Sequence, residues 1–418
     1  MSGAIGALAS SIRPTGAYLP RPELAAKVLA PPYENQTGAP AIQRDAENPL
    51  AFLNALRADI DLPLQTDEGR QVMLAETVKQ LHELLAGEIF EFYAPPSFFV
   101  CRLEFDGHAQ TGVVADVALD AYDRGLVKVH ELTRRGQEDR LFEYMGAVRA
   151  SFLPIFLIHR PLDAVTALIG RVVARPPTID VESDDGLTLT VWAITATTEV
   201  AEVRAALDEL DELYVADGHH RAAAASRFAA SCASANSDHT GEEAYAHMVS
   251  VLFASDQLAI QPYDRCVADL GGHSPEHVLA AVRKTFRVDG LDRVGDAPEA
   301  GSYLMRLAER WYRVSIPDAF RAQAGVAGLD VSVLHDQLLA PLLGIDDART
   351  DPRIEFVPGT RGMDELDRLC RGPLAVSFAL HPMSVADLMD VSDRNELLPP
   401  KSTYFVPKLR SGLIVRLF

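Results

Sequence analysis

At 418 residues the chain is too long for one ordinary hydrophobic core, so two or three packed units are expected. Its 48% hydrophobic and 23% charged residues match the balance of a folded soluble protein and leave little room for long disorder. With 39 Lys and Arg against 59 Asp and Glu the formal charge is -20, which argues against binding along a nucleic-acid backbone but allows a local basic pocket for a small anion.

The opening MSGAIGALASSIRP has no basic stretch ahead of its short apolar run, so no cleaved signal is expected. No apolar run approaches the roughly 20 residues of a membrane-spanning helix, and a cytoplasmic protein without membrane partners is the expectation. Residues 12 to 62 are rich in proline and turn formers, with APPYEN at 30 to 35 and a capped helix expected after Asn48-Pro49. EGRQVMLAETVKQLHELLA, 68 to 86, repeats apolar positions at helical spacing and ends at Gly87, a natural C-cap. Strand-like runs follow at 97–105, 112–119, 152–158 and 187–194, interleaved with helical patterns at 136–152 and 200–210. A buried strand is read at 245–254, a helix at 278–286, a helix at 332–344 and a strand at 374–380. This order argues α/β or α+β with a mixed sheet. The Gly- and acid-rich stretch 290–301 suggests a boundary, giving expected domains of 1–95, 96–290 and 302–418. Cys101, Cys232, Cys266 and Cys370 lie far apart and form no C-x-x-C pair, so all four read as reduced core residues.

The most telling stretch is ELYVADGHHRAAAA, 212 to 225, where an apolar strand meets an Ala-rich helix. Gly218 permits a tight turn or a close backbone approach, and the helix N-terminus presents unpaired N–H groups that favour anions. His219, His220 and Arg221 add donors, Arg being able to grip phosphate in a two-point fork. Asp217 has the opposite sign, which a divalent ion or a substrate hydroxyl would explain. The structural alternative is that Asp217 caps the helix and the histidines satisfy local carbonyls.

A second polar cluster, KVHELTRRGQEDR at 128 to 140, places His130-Glu131 where a strand ends, though such a run is commonly a solvated charged face. It lacks the second histidine of H-E-x-x-H. Neither G-x-x-x-x-G-K-[ST], nor G-x-G-x-x-G after a strand, nor G-x-S-x-G occurs. In KSTYFVPKLRSG, 401 to 412, Lys401, Ser402, Thr403, Lys408 and Arg410 concentrate donors in an otherwise acidic chain. That segment is expected to fold back to the 217–221 turn, a last buried strand being the alternative.

DGHHRAAAA, PPYEN, NPLAFLNALRADIDLP at 48 to 63, KVHELTRRGQEDR, YDRCVADLGG at 263 to 272 and PPKSTYFVPKLRSGL together resemble the domain-of-unknown-function family 1015. Through D-G-H-H-R that family is similar to free-serine kinases of ParB and sulfiredoxin-like fold. The resemblance implies a ParB/sulfiredoxin-like core carrying the motif, with N- and C-terminal extensions, and a kinase that uses ATP or ADP with Mg2+ on a small hydroxylated metabolite. It implies that Asp217 holds magnesium and that Gly218, His219, His220 and Arg221 serve the nucleotide phosphates; by their concentration in the closing segment, Lys401, Ser402, Thr403 and Arg410 are expected to join them where that segment folds back. Glu131 becomes the candidate base, with Asp217 and His220 also catalytic. A nucleotide-binding switch without turnover and a metal-dependent phosphohydrolase are the alternatives. The expected partners are a nucleotide and a small molecule, not nucleic acid; the oligomeric state stays open, a homodimer included.

Overall fold

The buried strand predicted at the DGHHR motif is the second strand of a large mixed sheet. The computed structural model describes residues 7–30, 48–52, 54, 67–295, 297–372 and 374–418. The chain divides into two compact units, residues 1–128, 132–258 and 407–418 forming the first and 129–131 and 259–406 the second.

In the first unit the sheet is built from β1 (Ile12–Arg13), β2 (Phe98–Phe105), β3 (His108–Ala118), β4 (Val127–Lys128), β5 (Ile155–His159), β6 (Ile179–Glu182), β7 (Thr188–Ile194), β8 (Leu213–Asp217) and β9 (His247–Ala254). Their order is β4-β8-β5-β9-β3-β2-β7-β6, with β1 pairing alongside β3. The β4–β8 and β5–β9 pairs are parallel and the other pairs antiparallel, so the sheet is mixed, as the element order predicts. All eight residues of β9 are buried, which accounts for its unbroken apolar run HMVSVLFA. Helices flank the strands: α1 (Asp67–Ala86), α2 (Arg135–Val148), α3 (Asp163–Val173), α4 (Thr197–Leu207) and α5 (His219–Ala235). Most of APPYEN and of the helix expected after Asn48-Pro49 lies outside the described residues.

The second unit holds an antiparallel sheet of β10 (Tyr263–Val267), β11 (Arg287–Leu291), β12 (Ser302–Leu307), β13 (Arg310–Ser315), β14 (Ile354–Pro358) and β15 (Val376–Leu380), in the order β11-β13-β12-β15-β10-β14. The units divide the chain differently from the domains expected at 1–95, 96–290 and 302–418. Residues 290–301 are no linker, because β11 and β12 on either side belong to one sheet; the chain leaves the first unit after Leu258 and re-enters it at Pro407. The helix expected at 332–344 is present from Asp330 to Leu343, broken by a π turn over His335–Leu339 just before Pro341, whose ring can donate no hydrogen bond.

One sequence expectation is overturned here. Cys266 and Cys370 are not reduced: they form a disulfide with Cα atoms 5.5 Å apart, closing a sequence separation of 104. Spacing alone could not show this, since the strand β10 and the end of a helix meet only through the fold. Cys101 and Cys232 are free. Among the described residues no helix is long and apolar enough to cross a membrane.

Candidate active site at the strand-to-helix turn

A bulge sets the turn. The β8–β5 register slips between Val215 and Asp217, leaving Asp217 opposite Phe156 as the strand ends. Bulges of this kind re-aim a side chain at the rim of a sheet. Gly218 then adopts φ 102°, a left-handed conformation that L side chains rarely adopt, and α5 begins at His219. A Cβ at this position would also stand 3.0 Å from the Arg221 guanidinium carbon and 3.1 Å from Ile155 Cδ1. The backbone angle therefore calls for glycine, and a larger residue would in addition make Arg221 and Ile155 give way by a few tenths of an ångström.

Arg221 is a latch. Its Nη1 donates to the carbonyls of Leu153 (2.9 Å) and Pro154 (2.8 Å), and its Nη2 to Asp217 Oδ2 at 2.6 Å. The sequence reading gives that fork to phosphate; the structure spends it on protein oxygens, so Arg221 positions Asp217 and ties the turn to the segment before β5. The second cation at Asp217 is Lys408, whose Nζ lies 3.2 Å from Oδ1. The Lys408 side chain is 10% exposed and that of Asp217 28%, so the pair is largely but not wholly removed from solvent. Burial alone would raise the Asp217 pKa, but Lys408 and Arg221 outweigh it and hold the carboxyl well below the usual carboxylate range.

The histidines differ. His219 is buried, and burial pushes its pKa down to about 4, with the charges of His220 and Arg221 acting in the same sense against Asp217. It is a neutral imidazole at pH 7 and brings no positive charge to the turn. His220 Nε2 accepts the Arg134 backbone N–H at 3.0 Å. Further along α5, Arg227 pairs with Glu138 (3.2 Å) and Asp139 (2.8 Å) on α2. The two polar clusters of the sequence thus meet along the α2 and α5 helices of the first unit. Phe228 anchors the same helix against Phe142 and Phe418.

The remaining expected site residues lie elsewhere. Arg410 is buried, and its Nη2 reaches both carboxylate oxygens of Asp185 at 2.6 Å, in the turn between β6 and β7. Glu131 belongs to the short 129–131 segment of the second unit, where it adds to the acidic field, led by Asp347, that raises the pKa of Arg349. Lys401, Ser402 and Thr403 are also in the second unit, Lys401 over the Tyr263 ring and Ser402 donating to the Pro399 carbonyl. Lys408 carries a contact from the closing segment to the motif; its signal in the sequence is the concentration of donors around the apolar stretch YFVP.

Asp217 is the only carboxylate of the motif, and each of its oxygens already faces a cation. That donor set does not fit a resident magnesium ion, which asks for near-octahedral oxygen ligation. Among the described residues no group of three His, Cys, Asp or Glu side chains is arranged to hold a metal.

Residues 12–332 match the family model described as a protein of unknown function, DUF1015, and the chain belongs to that family. No curated protein matches the chain. Among solved structures, a free serine kinase variant in complex with ADP is 14% identical with a TM-score of 0.36, covering 71% of this chain and 87% of that one. SbnI from Staphylococcus aureus, truncated at its C-terminus, is 11% identical with a TM-score of 0.37 over 71% of this chain and 85% of its own. A conserved hypothetical protein from Pyrococcus furiosus is 15% identical with a TM-score of 0.35, over 72% and 93%. At TM-scores this low the likenesses carry no argument about chemistry.

Proposed function

We propose that the turn at Asp217–Arg221 binds the phosphates of a nucleotide and that the protein transfers a phosphoryl group from it to a small hydroxylated metabolite. The observation that carries the reading is the Lys408 ammonium held 3.2 Å from Asp217 at the N-terminus of the 17-residue helix α5. The first N–H groups of that helix have no intrahelical acceptor, and their dipoles favour an anion. Lys408 adds a full positive charge, oriented by Asp217 rather than left to rotate freely. Gly218 keeps the backbone bare where a phosphate would approach. Phosphoryl transfer asks chiefly for such positioning and charge neutralisation. Magnesium in this reading is part of the nucleotide substrate, carried on its phosphates, rather than a ligand of Asp217.

Incubation with ATP or ADP, magnesium and a panel of amino acids and polyols, followed by phosphorus NMR, tests the reading. A new phosphate ester is expected. Inorganic phosphate alone would mark a hydrolase, and tight binding without turnover a switch. Lys408→Met should stay folded and lose about 1.5 to 3 kcal/mol of nucleotide affinity, the range for hydrogen bonds to charged groups. Unchanged affinity would remove the turn from nucleotide binding.

The motif resemblance supplies Glu131 as the base that takes the acceptor's hydroxyl proton. Glu131→Gln is then expected to keep nucleotide affinity while turnover falls about 10² to 10⁴-fold. Joint loss of binding and turnover would move Glu131 to the phosphate site, and full activity would remove it from the chemistry.

A further inference from the structure

The second unit contains a polar cavity of about 300 Å³ that the phosphoryl-transfer reading does not use. That volume is at the lower end of the range of small-molecule pockets, roughly 300 to 1,000 Å³. Part of its lining, from Leu380 to Ser402, falls outside the stretch that the family model matches.

Arg265, on β10, lines it and is only 2% exposed. Its Nη1 donates to the Tyr263 carbonyl, its Nη2 reaches the Pro400 carbonyl at 3.3 Å, and the guanidinium lies 4.7 Å from the centre of the Phe356 ring. Among the described residues it makes no ion pair within 4 Å, although a guanidinium buried this deeply is costly without an anion. The neighbouring Asp264 does not neutralise it by contact; its Oδ1 accepts the Leu380 N–H.

The same cavity is lined by carboxylates. Asp330 Oδ2 accepts the Gly301 N–H at 2.9 Å, and its Oδ1 lies 3.6 Å from Arg321 Nε, a long contact with a side chain that is 43% exposed. Asp387 uses Oδ2 to close the capping box of the helix Val385–Asp393 with Ser384. Burial, and then the charge of Asp387, act to raise the Asp330 pKa against the Gly301 hydrogen bond, Arg321 and His381. Among the described residues the cation facing these carboxylates at ion-pair distance is Arg321, which also lines the cavity but whose contact with Asp330 is long and partly solvated, so the two carboxylates favour an added positive charge. The lining therefore asks for both signs at once.

We infer that this cavity binds a small zwitterion, its carboxylate on Arg265 and its ammonium group on Asp330. A molecule carrying the two charges a few bonds apart would satisfy the buried guanidinium and relieve the carboxylates together. A simple anion or a simple amine would answer only one of them.

Isothermal titration calorimetry on the full chain without nucleotide tests this, using glycine, L-alanine, L-serine, L-aspartate, L-lysine and β-alanine, with acetate and methylamine as single-charge controls. The expected result is one-to-one binding of at least one zwitterion at least about tenfold more tightly than either control. Asp330→Asn keeps an acceptor for the Gly301 N–H and should weaken that binding by about tenfold or more with an unchanged circular dichroism spectrum. Arg265→Met should abolish it; should that variant fail to fold, Asp330→Asn still decides. No binding of any zwitterion at about 10 mM, or unchanged affinity in Asp330→Asn, would overturn the inference. Because no nucleotide is present, the result is independent of the phosphoryl-transfer proposal.

Discussion

His219 and Asp217 stand two positions apart, and because folding lowers the pKa of both, each makes the fold sensitive to acid. A histidine lowered from 6.5 to about 4 binds its proton less readily folded than unfolded. Its contribution is complete above about pH 6.5 and is lost as the pH falls toward 4, amounting to roughly 3 kcal/mol across that window. Asp217, held below its ordinary 3.8, adds a loss only beneath it, as the pH falls through the lowered value. Urea unfolding at pH 7, 5 and 4 should therefore show wild type losing stability more steeply than His219→Gln. Equal slopes would mean that His219 is not held neutral by burial.

The elements legible in the sequence were those with unbroken periodicity. The helix at 67–86 and the strands at 98–105, 188–194, 213–217 and 247–254 are legible within a few residues because each carries a sustained apolar pattern, helical in the first and β-type in the others, most plainly in the almost wholly buried 213–217 and 247–254. The β12–β13 hairpin was not read. Its two turn residues, Ala308 and Glu309, have φ of 49° and 61°, where Asn-Gly or Asp-Gly would be the usual signal. At the site, the motif announced Asp217 and the helix start, but nothing local could show that Arg221 faces the Leu153 and Pro154 carbonyls or that a lysine 191 positions away completes the turn. The Cys266–Cys370 bond was hidden for the same reason. Thiol titration of the unfolded, unreduced chain should find two reactive thiols, Cys101 and Cys232, and four after reduction. Closing so long a loop is worth about 2 to 5 kcal/mol, so Cys370→Ala should lower the unfolding midpoint of the second unit. Four thiols before reduction would refute the pairing.

Across the whole molecule the chain path is interleaved, and the last twelve residues, 407 to 418, serve the first unit. Tyr18 and Val415 exchange backbone hydrogen bonds, Ser411 pairs with Ala30, and Arg416 pairs with Ser151. Arg416 Nη2 also meets Asp116 Oδ2 at 2.6 Å, and both side chains are almost wholly buried. The other cation at Asp116, Arg13, is more distant at 3.7 Å. Arg416→Met should therefore cost about 3 to 5 kcal/mol by leaving a buried carboxylate poorly paired, whereas Arg13→Met should cost less. Denaturant titration followed by tryptophan fluorescence measures both, and an Arg416→Met loss below that of Arg13→Met would contradict the assignment.

The return of the chain at Pro407 also imposes a schedule. During synthesis the strand bearing Asp217 leaves the ribosome long before Lys408, and at ordinary elongation rates the intervening second unit takes on the order of 10 s to make. Through that interval Asp217 can have its Arg221 latch but not its lysine, and Asp116 waits for Arg416. A chain released early would thus lack the Lys408 ammonium at Asp217 and the buried counter-charge of Asp116 together, and its first unit should be measurably less stable than that of the full chain.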